Sequence, residues 1–108
     1  MAYLPAAGDV VWLQFSPQAG HEQAGHRPAV VLSPLDYNRI GLMLCCPLTT
    51  KIKDYPFEVV LAGDKPSVAL ADQVKSLDWR ARPVRRKGKV LDDELSEIRA
   101  KARALIGK

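Results

Sequence analysis

The sequence predicts a small, mainly β domain, a barrel or sandwich, with one α-helix at its C-terminal end. Three observations carry that expectation. Short runs rich in Val, Leu and aromatic residues recur along most of the chain; 7 Gly and 8 Pro interrupt them; and an apolar repeat of three to four residues replaces these runs only near the C-terminus. At 108 residues the chain can bury one core but not two independent ones, so a single domain over residues 1–108 is expected.

Residues 10–15, VVWLQF, read as the first strand, which Ser16-Pro17 ends because proline removes a ladder donor. Residues 17–26 place Pro17, Gly20 and Gly25 among polar groups, the composition of a long surface loop. Such loops expose the polar groups that strands use up in pairing. Residues 27–33, RPAVVLS, form a largely buried strand running into Pro34, with Arg27 at its entrance. After a turn at Asp36-Tyr37-Asn38, residues 40–46 make a third strand, which Pro47 ends just before Thr49-Thr50-Lys51. Residues 57–61, 67–71 and 87–90 are shorter strands separated by Gly63, Pro66, Pro83 and Gly88. Leu95, Ile98, Ala102 and Leu105 then share one helical face, with Asp92, Asp93 and Glu94 at the start, Arg99, Lys101 and Arg103 toward the end, and Gly107 as a stop.

Composition removes several classes of protein. Apolar residues at 47% and charged residues at 26% describe a chain that folds rather than a disordered one. The longest apolar stretch, residues 40–48, is strand-sized and far short of a membrane span, and Asp9 breaks the N-terminal segment before it could form a signal peptide, so a cytoplasmic location is expected. Cys45 and Cys46 are adjacent, which in a strand sends their side chains to opposite faces and favours reduced thiols. With 2 Cys and 2 His the chain lacks zinc-site spacing, and no cofactor is expected. A formal charge of +4 suits a polyanionic partner.

The densest chemistry lies in GHEQAGHRP, where Glu22, Gln23, His26 and Arg27 fall within one glycine-flanked span. A phosphodiester approaching its transition state gathers charge on its non-bridging oxygens, and a guanidinium fork matches that geometry while staying protonated. The competing structural reading is a loop anchored by an Arg27–Glu22 pair. Thr49 and Thr50 could bond a phosphate, although such a pair commonly caps a turn. His26 carries an imidazole, a group that ordinarily exchanges protons near neutrality. The segment KSLDWRARPVRRKGK sets Arg80, Arg82, Arg85 and Arg86 among lysines against one acid, Asp78, a density suited to phosphate contacts. Trp12 and Trp79 are read as core, and Phe15, at a strand end facing the loop, as the aromatic placed to stack on a base. Clustered carboxylates that would hold catalytic metal ions are missing, which favours metal-free cleavage of RNA, whose 2′-hydroxyl supplies its own nucleophile.

The stretches GHEQAGHRPAVVLSP, PLTTK, YPFEVVL and ALADQVKSLDWRAR, in this order, closely resemble the MazF/PemK-like group of toxin endoribonucleases. The resemblance spans nearly the whole chain. It implies an SH3-like barrel, a homodimer, cleavage of single-stranded RNA at short recognition sequences, and a MazE-like antitoxin as partner. It places the group's catalytic Arg on Arg27 and its catalytic Thr on Thr49, with Thr50 as the alternative register. Glu22, Gln23, His26 and, in support, Lys51 are implied to lie near the substrate. His21 departs from the serine usual in close relatives. Two rival readings remain at this level: a CcdB-like toxin that binds gyrase without cutting anything, and an RNA-binding module without cleavage. The C-terminal end, RALIGK, lacks the aromatic residues of the CcdB group.

Overall fold

The structure, a computed structural model, describes residues 3–15, 25–63 and 65–107. His21, Glu22 and Gln23 lie outside the described residues. Along the chain come β1 (Asp9–Phe15), β2 (Gly25–Val31), α1 (Leu35–Asn38), β3 (Leu42–Thr49), β4 (Glu58–Leu61), β5 (Ser67–Leu70), β6 (Lys75–Asp78), β7 (Arg85–Lys89) and α2 (Asp92–Ile106). Every strand pair is antiparallel, and the path through the sheet runs β4-β5-β3-β2-β1-β7, with β6 joined to β3. The expected mainly β fold with a C-terminal helix is present, but the barrel is an open sheet: no pairing joins β4 to β7 among the described residues.

Strand β1, the second half of β2 and β3 from Cys45 to Leu48 are largely buried on both faces, which explains their nearly unbroken apolar runs. Val10, Val30, Cys46 and Leu48 point to one core with Val59, Leu61, Ala69 and Ile98. Their neighbours Val11, Leu13, Ala29, Val31, Met43 and Cys45 point the other way, into a second cluster covered by Tyr3, Leu77, Trp79 and Val84. Phe15 belongs to this second cluster and is only 1% exposed. The expectation that it stacks on a base is therefore corrected: alternation along β1 turns it inward with Val11 and Leu13.

Other boundaries moved for identifiable reasons. Pro47 does not end β3, which continues to Thr49. Pairing with β6 stops at Cys45 and pairing with β5 starts at Leu48, so the proline occupies the gap between two neighbours, where a missing donor is tolerated. The turn at Asp36-Tyr37-Asn38 is the short helix α1, whose Asn38 is fully buried and donates to the carbonyls of Pro5 (2.8 Å) and Ser33 (3.0 Å). Strand β6 lies in the basic stretch, whose charges concealed its alternation.

Helix α2 packs against β4 through Ile98 and Ala102. Glu94 fixes its start, accepting from the backbone N–H of Leu91 at 2.8 Å and of Ala62 at 2.6 Å. Arg99 donates to the Leu32 carbonyl through Nε (3.1 Å) and Nη2 (2.6 Å), and Lys101 donates to that of Glu58 at 3.0 Å. Leu105, expected on the buried face, is 53% exposed because the helix runs past the edge of the sheet it covers. Among the described residues no helix is long and apolar enough to cross a membrane.

Two measurements test this packing. Phe15→Ala should cost about 3–5 kcal/mol in denaturant unfolding, the range for emptying a fully buried aromatic site; a loss below about 1 kcal/mol would return Phe15 to the surface. Burial pushes the Cys45 thiol up to about 12 and raises that of Cys46 as well. Both groups hold their protons more tightly folded than unfolded, so their contribution is complete below the ordinary thiol range and is lost as pH climbs from about 9 toward 12. Native protein should accordingly resist thiol alkylation at pH 8, react at both cysteines once unfolded, and lose thermal stability above about pH 9.

Candidate active site

One large groove, about 1440 Å³, opens beside the ends of β2 and β3. It exceeds the roughly 300–1,000 Å³ of small-molecule pockets and suits an extended polymer. Its position follows from how two strands separate. The β2–β3 register runs Val31↔Cys45, Val30↔Cys46, Ala29↔Pro47 and stops there. The ladder stops at Pro28, which has no N–H to give β3. Continued by two residues, the same register would set Arg27 opposite Thr49. There β3 is held on its opposite edge by β5, through Leu48↔Ala69 and Thr49↔Val68, while β2 continues beside β1 alone. The wedge between them is the groove, lined by both Arg27 and Thr49.

Around Arg27 stand Trp12, His26 and Lys87. The Trp12 and His26 rings stack with centroids 5.6 Å apart and planes 26° from parallel, and Lys87 Nζ lies 5.6 Å from the Trp12 ring centroid. Trp12, expected in the core, is half-buried and holds two cationic or protonatable groups at the groove wall. Trp79 fits its expectation better, packing on the second cluster and donating from Nε1 to the Asn38 carbonyl at 2.7 Å.

Thr49 Oγ1 accepts from the backbone N–H of Lys51 at 3.1 Å. The turn-capping and phosphate-binding readings of this residue are thus compatible, since the bond takes a lone pair and leaves the hydroxyl proton to donate. Thr50 and Lys51 are exposed on the same groove. The loop that follows was not singled out in the sequence. It is shaped by Glu58, buried at the start of β4, which accepts from the N–H of Lys53 (3.1 and 3.3 Å to its two oxygens) and of Tyr55 (3.2 Å). Asp54, at φ 56°, makes the left-handed bend between those donors. Glu58 thereby presents Lys53 and Tyr55 to the groove. A glutamate inside an apolar run gave no local sign that backbone donors would surround it.

On the same wall as Tyr55 stands Asp72, whose carboxylate raises the pKa of the Tyr55 phenol. Asp72 also escaped sequence reasoning, although it lies within the quoted ALADQVK. The basic stretch is divided. Lys87 lines the groove, whereas Arg80, Arg82, Arg85 and Arg86 do not. Arg80 donates to the Arg39 carbonyl at 2.7 Å and lies over Trp79, Arg82 donates to the Asp78 carbonyl at 3.2 Å, and Arg86 pairs with buried Asp9 at 3.6 Å. Among the described residues no three His, Cys, Asp or Glu side chains gather as a metal site requires.

The family model described as PemK-like, MazF-like toxin of type II toxin-antitoxin system matches residues 6–106. The chain is 58% identical to the endoribonuclease toxin MazF of Escherichia coli K12, covering 97% of this chain and 96% of that protein. It is 37% identical to the endoribonuclease toxin ChpB of the same organism, over 92% and 91% of the two chains. The crystal structure of MazF (Form-I) from Deinococcus radiodurans superimposes with a TM-score of 0.92 at 50% identity, covering 99% of this chain and 100% of that one. A MazE-MazF crystal structure (Form-II) from that organism gives 0.85 at 50% identity and 98% coverage of each chain. This chain belongs to the PemK-like, MazF-like family of toxins of type II toxin–antitoxin systems.

Proposed function

We propose that the chain, acting as one domain over residues 1–108, is a cytoplasmic endoribonuclease toxin that cuts single-stranded RNA at short recognition sequences and is held inactive by a MazE-like antitoxin. The observation that carries this reading is the wedge between β2 and β3, where Arg27 and Thr49, distant in sequence, line one groove large enough for a polynucleotide. Relatives named as endoribonucleases, matched over nearly their whole length, support it.

The reaction needs an attacking 2′-oxygen, a pentacovalent phosphorus and a leaving 5′-oxygen. The 2′-oxygen forms a bond to phosphorus as its proton passes to a base, and the phosphorus–O5′ bond breaks as that oxygen takes a proton. The products are a 2′,3′-cyclic phosphate and a 5′-hydroxyl. Arg27 stabilises the charge that builds on the non-bridging oxygens, and Thr49 donates its free hydroxyl proton to one of them. His26, steadied against Trp12, accepts or returns a proton, with Glu22 assisting. Because RNA brings its own nucleophile, these groups suffice without a metal ion.

The active form is a homodimer. Leu42 and Leu44 alternate along the outer side of β3, next to Ile40 (75% exposed) in the turn before it and the exposed Leu35 and Tyr37 of α1, an apolar strip suited to a second copy. The antitoxin closes the groove with an acidic, extended segment that competes with RNA for Arg27, Lys51, Lys53 and Lys87.

Purified protein should cut single-stranded RNA in excess EDTA and leave DNA of the same sequence intact. RNA that is bound but never cut would leave only a binding module. Arg27→Ala should lower the cleavage rate by about 100-fold or more without loss of folding, near-normal cutting being incompatible with its role. Trp12→Ala should weaken cleavage by freeing His26 and Lys87, whereas a fully active variant would make the ring merely structural. Leu44→Asp should convert the dimer to a monomer in light scattering; an unchanged mass would move the interface elsewhere.

A further inference from the structure

Asp72 is out of place in a groove built for phosphate. Arg27, Lys51, Lys53, Lys65 and Lys87 line the same cavity, and the other carboxylate on its wall, Glu58, is buried and committed to the N–H groups of Lys53 and Tyr55. Asp72 is exposed, follows β5 in the turn closed by Gln73 N–H on the Leu70 carbonyl at 3.0 Å, and lines the groove beside the exposed Tyr55. A negative charge there repels a phosphate brought close to it and lowers the general affinity for RNA backbone. It gains only where the group that meets it is a hydrogen-bond donor, and on single-stranded RNA those donors are ribose 2′-hydroxyls, which are the same at every position, and base-edge N–H groups, which differ between bases.

From this arrangement we propose that Asp72 is a specificity-determining residue, which accepts a hydrogen bond from the amino-bearing edge of one base beside the scissile phosphate and so rejects uracil at that position. This rests on the endoribonuclease reading above. The sheet order sets the geometry. Lys87, Trp12, His26 and Arg27 belong to the β7-β1-β2 side, Thr49 to β3 at the middle, and Tyr55, Glu58 and Asp72 to the β5-β4 side. A strand whose phosphate rests on Arg27 and Thr49 can therefore point a base across the groove toward Asp72. Adenine, cytosine and guanine offer an exocyclic amino group to a carboxylate, whereas uracil meets it with carbonyl oxygens on both sides of its one N–H. The Tyr55 phenol beside it is the stand-in donor when RNA is absent, and a mismatched base held against Asp72 leaves the carboxylate without a hydrogen bond.

The experiment maps new 5′ ends on one long transcript cut by the wild type, by Asp72→Asn and by Tyr55→Phe, scoring base frequencies at each position around the cut and the overall rate separately. In the wild type uracil should be depleted at one position beside the cut. Asp72→Asn, whose amide can donate to a uracil carbonyl, should raise uracil at that position by about tenfold relative to the other bases, with the other positions unchanged. Tyr55→Phe should keep the wild-type base frequencies, because it removes only the stand-in donor. Uniformly slower cutting by Asp72→Asn with unchanged frequencies, or the same outcome in both variants, would overturn the inference and make Asp72 a structural residue of the groove wall. Absence of cutting by the wild type would instead overturn the endoribonuclease reading itself.

Discussion

The site depends on one proline that interrupts a ladder. Pro28 on β2 withholds a donor at the place where the two strands would otherwise continue side by side, and the last pair of the ladder is Ala29↔Pro47. Were the ladder to run on, Arg27 and Thr49 would face each other across a closed sheet, with backbone in the space a phosphate must enter. Because it stops, β3 keeps only its opposite edge paired, to β5, and the same two residues border an open wedge. The strands remain rigid on their other edges, β2 against β1 and β3 against β5, so the wedge is held open by paired backbone rather than by a loop. Arginine and threonine are thus placed by strand register, which fixes position better than a flexible segment could.

Charge is distributed with the same economy. A formal +4 spread evenly would attract RNA anywhere on the surface. Much of the basic stretch is turned to internal work: Arg86 meets Asp9, Arg80 and Arg82 satisfy backbone carbonyls, and only Lys87 reaches the groove. Asp9 itself is buried and also accepts from the Tyr3 phenol and, at 3.1 Å, from the Ala6 N–H, tying the N-terminal segment to β7. Arg80, Arg82 and Arg86 thus have protein partners of their own outside the groove, while Arg27, Lys51, Lys53 and Lys65 line it together.

Much of this was legible before the structure. The β1, β2 and β4 runs and the helix α2 came from apolar pattern, and Arg27 came from the chemistry of its neighbours. What failed shares a physical cause. Strands β1 to β3 are apolar on both faces, so alternation carries no information about which face meets solvent, and Phe15 and Trp12 were assigned to each other's environments. Pro47 was read as the end of β3, but the strand runs on to Thr49 because the proline sits in the gap between the β6 and β5 pairings. Glu58 and Asp72 were invisible because their roles depend on contacts made by other segments: one needs the Lys53–Tyr55 loop folded around it, the other needs Tyr55 brought beside it in the groove.

Those two acids also show how the groove can be both stable and selective. Glu58 is buried, and its carboxylate is matched by backbone donors instead of a cation, so it leaves the neighbouring lysines free of a competing ion pair with it while setting the curve of the loop that carries them. Asp72 is exposed and stands beside a phenol that is itself exposed. Burial makes the first a fixed part of the scaffold, and exposure leaves the second open to a base. Two carboxylates on one wall of a cationic groove thus divide the work by solvent access alone: one shapes the surface on which RNA lies, and the other is available to test what lies there.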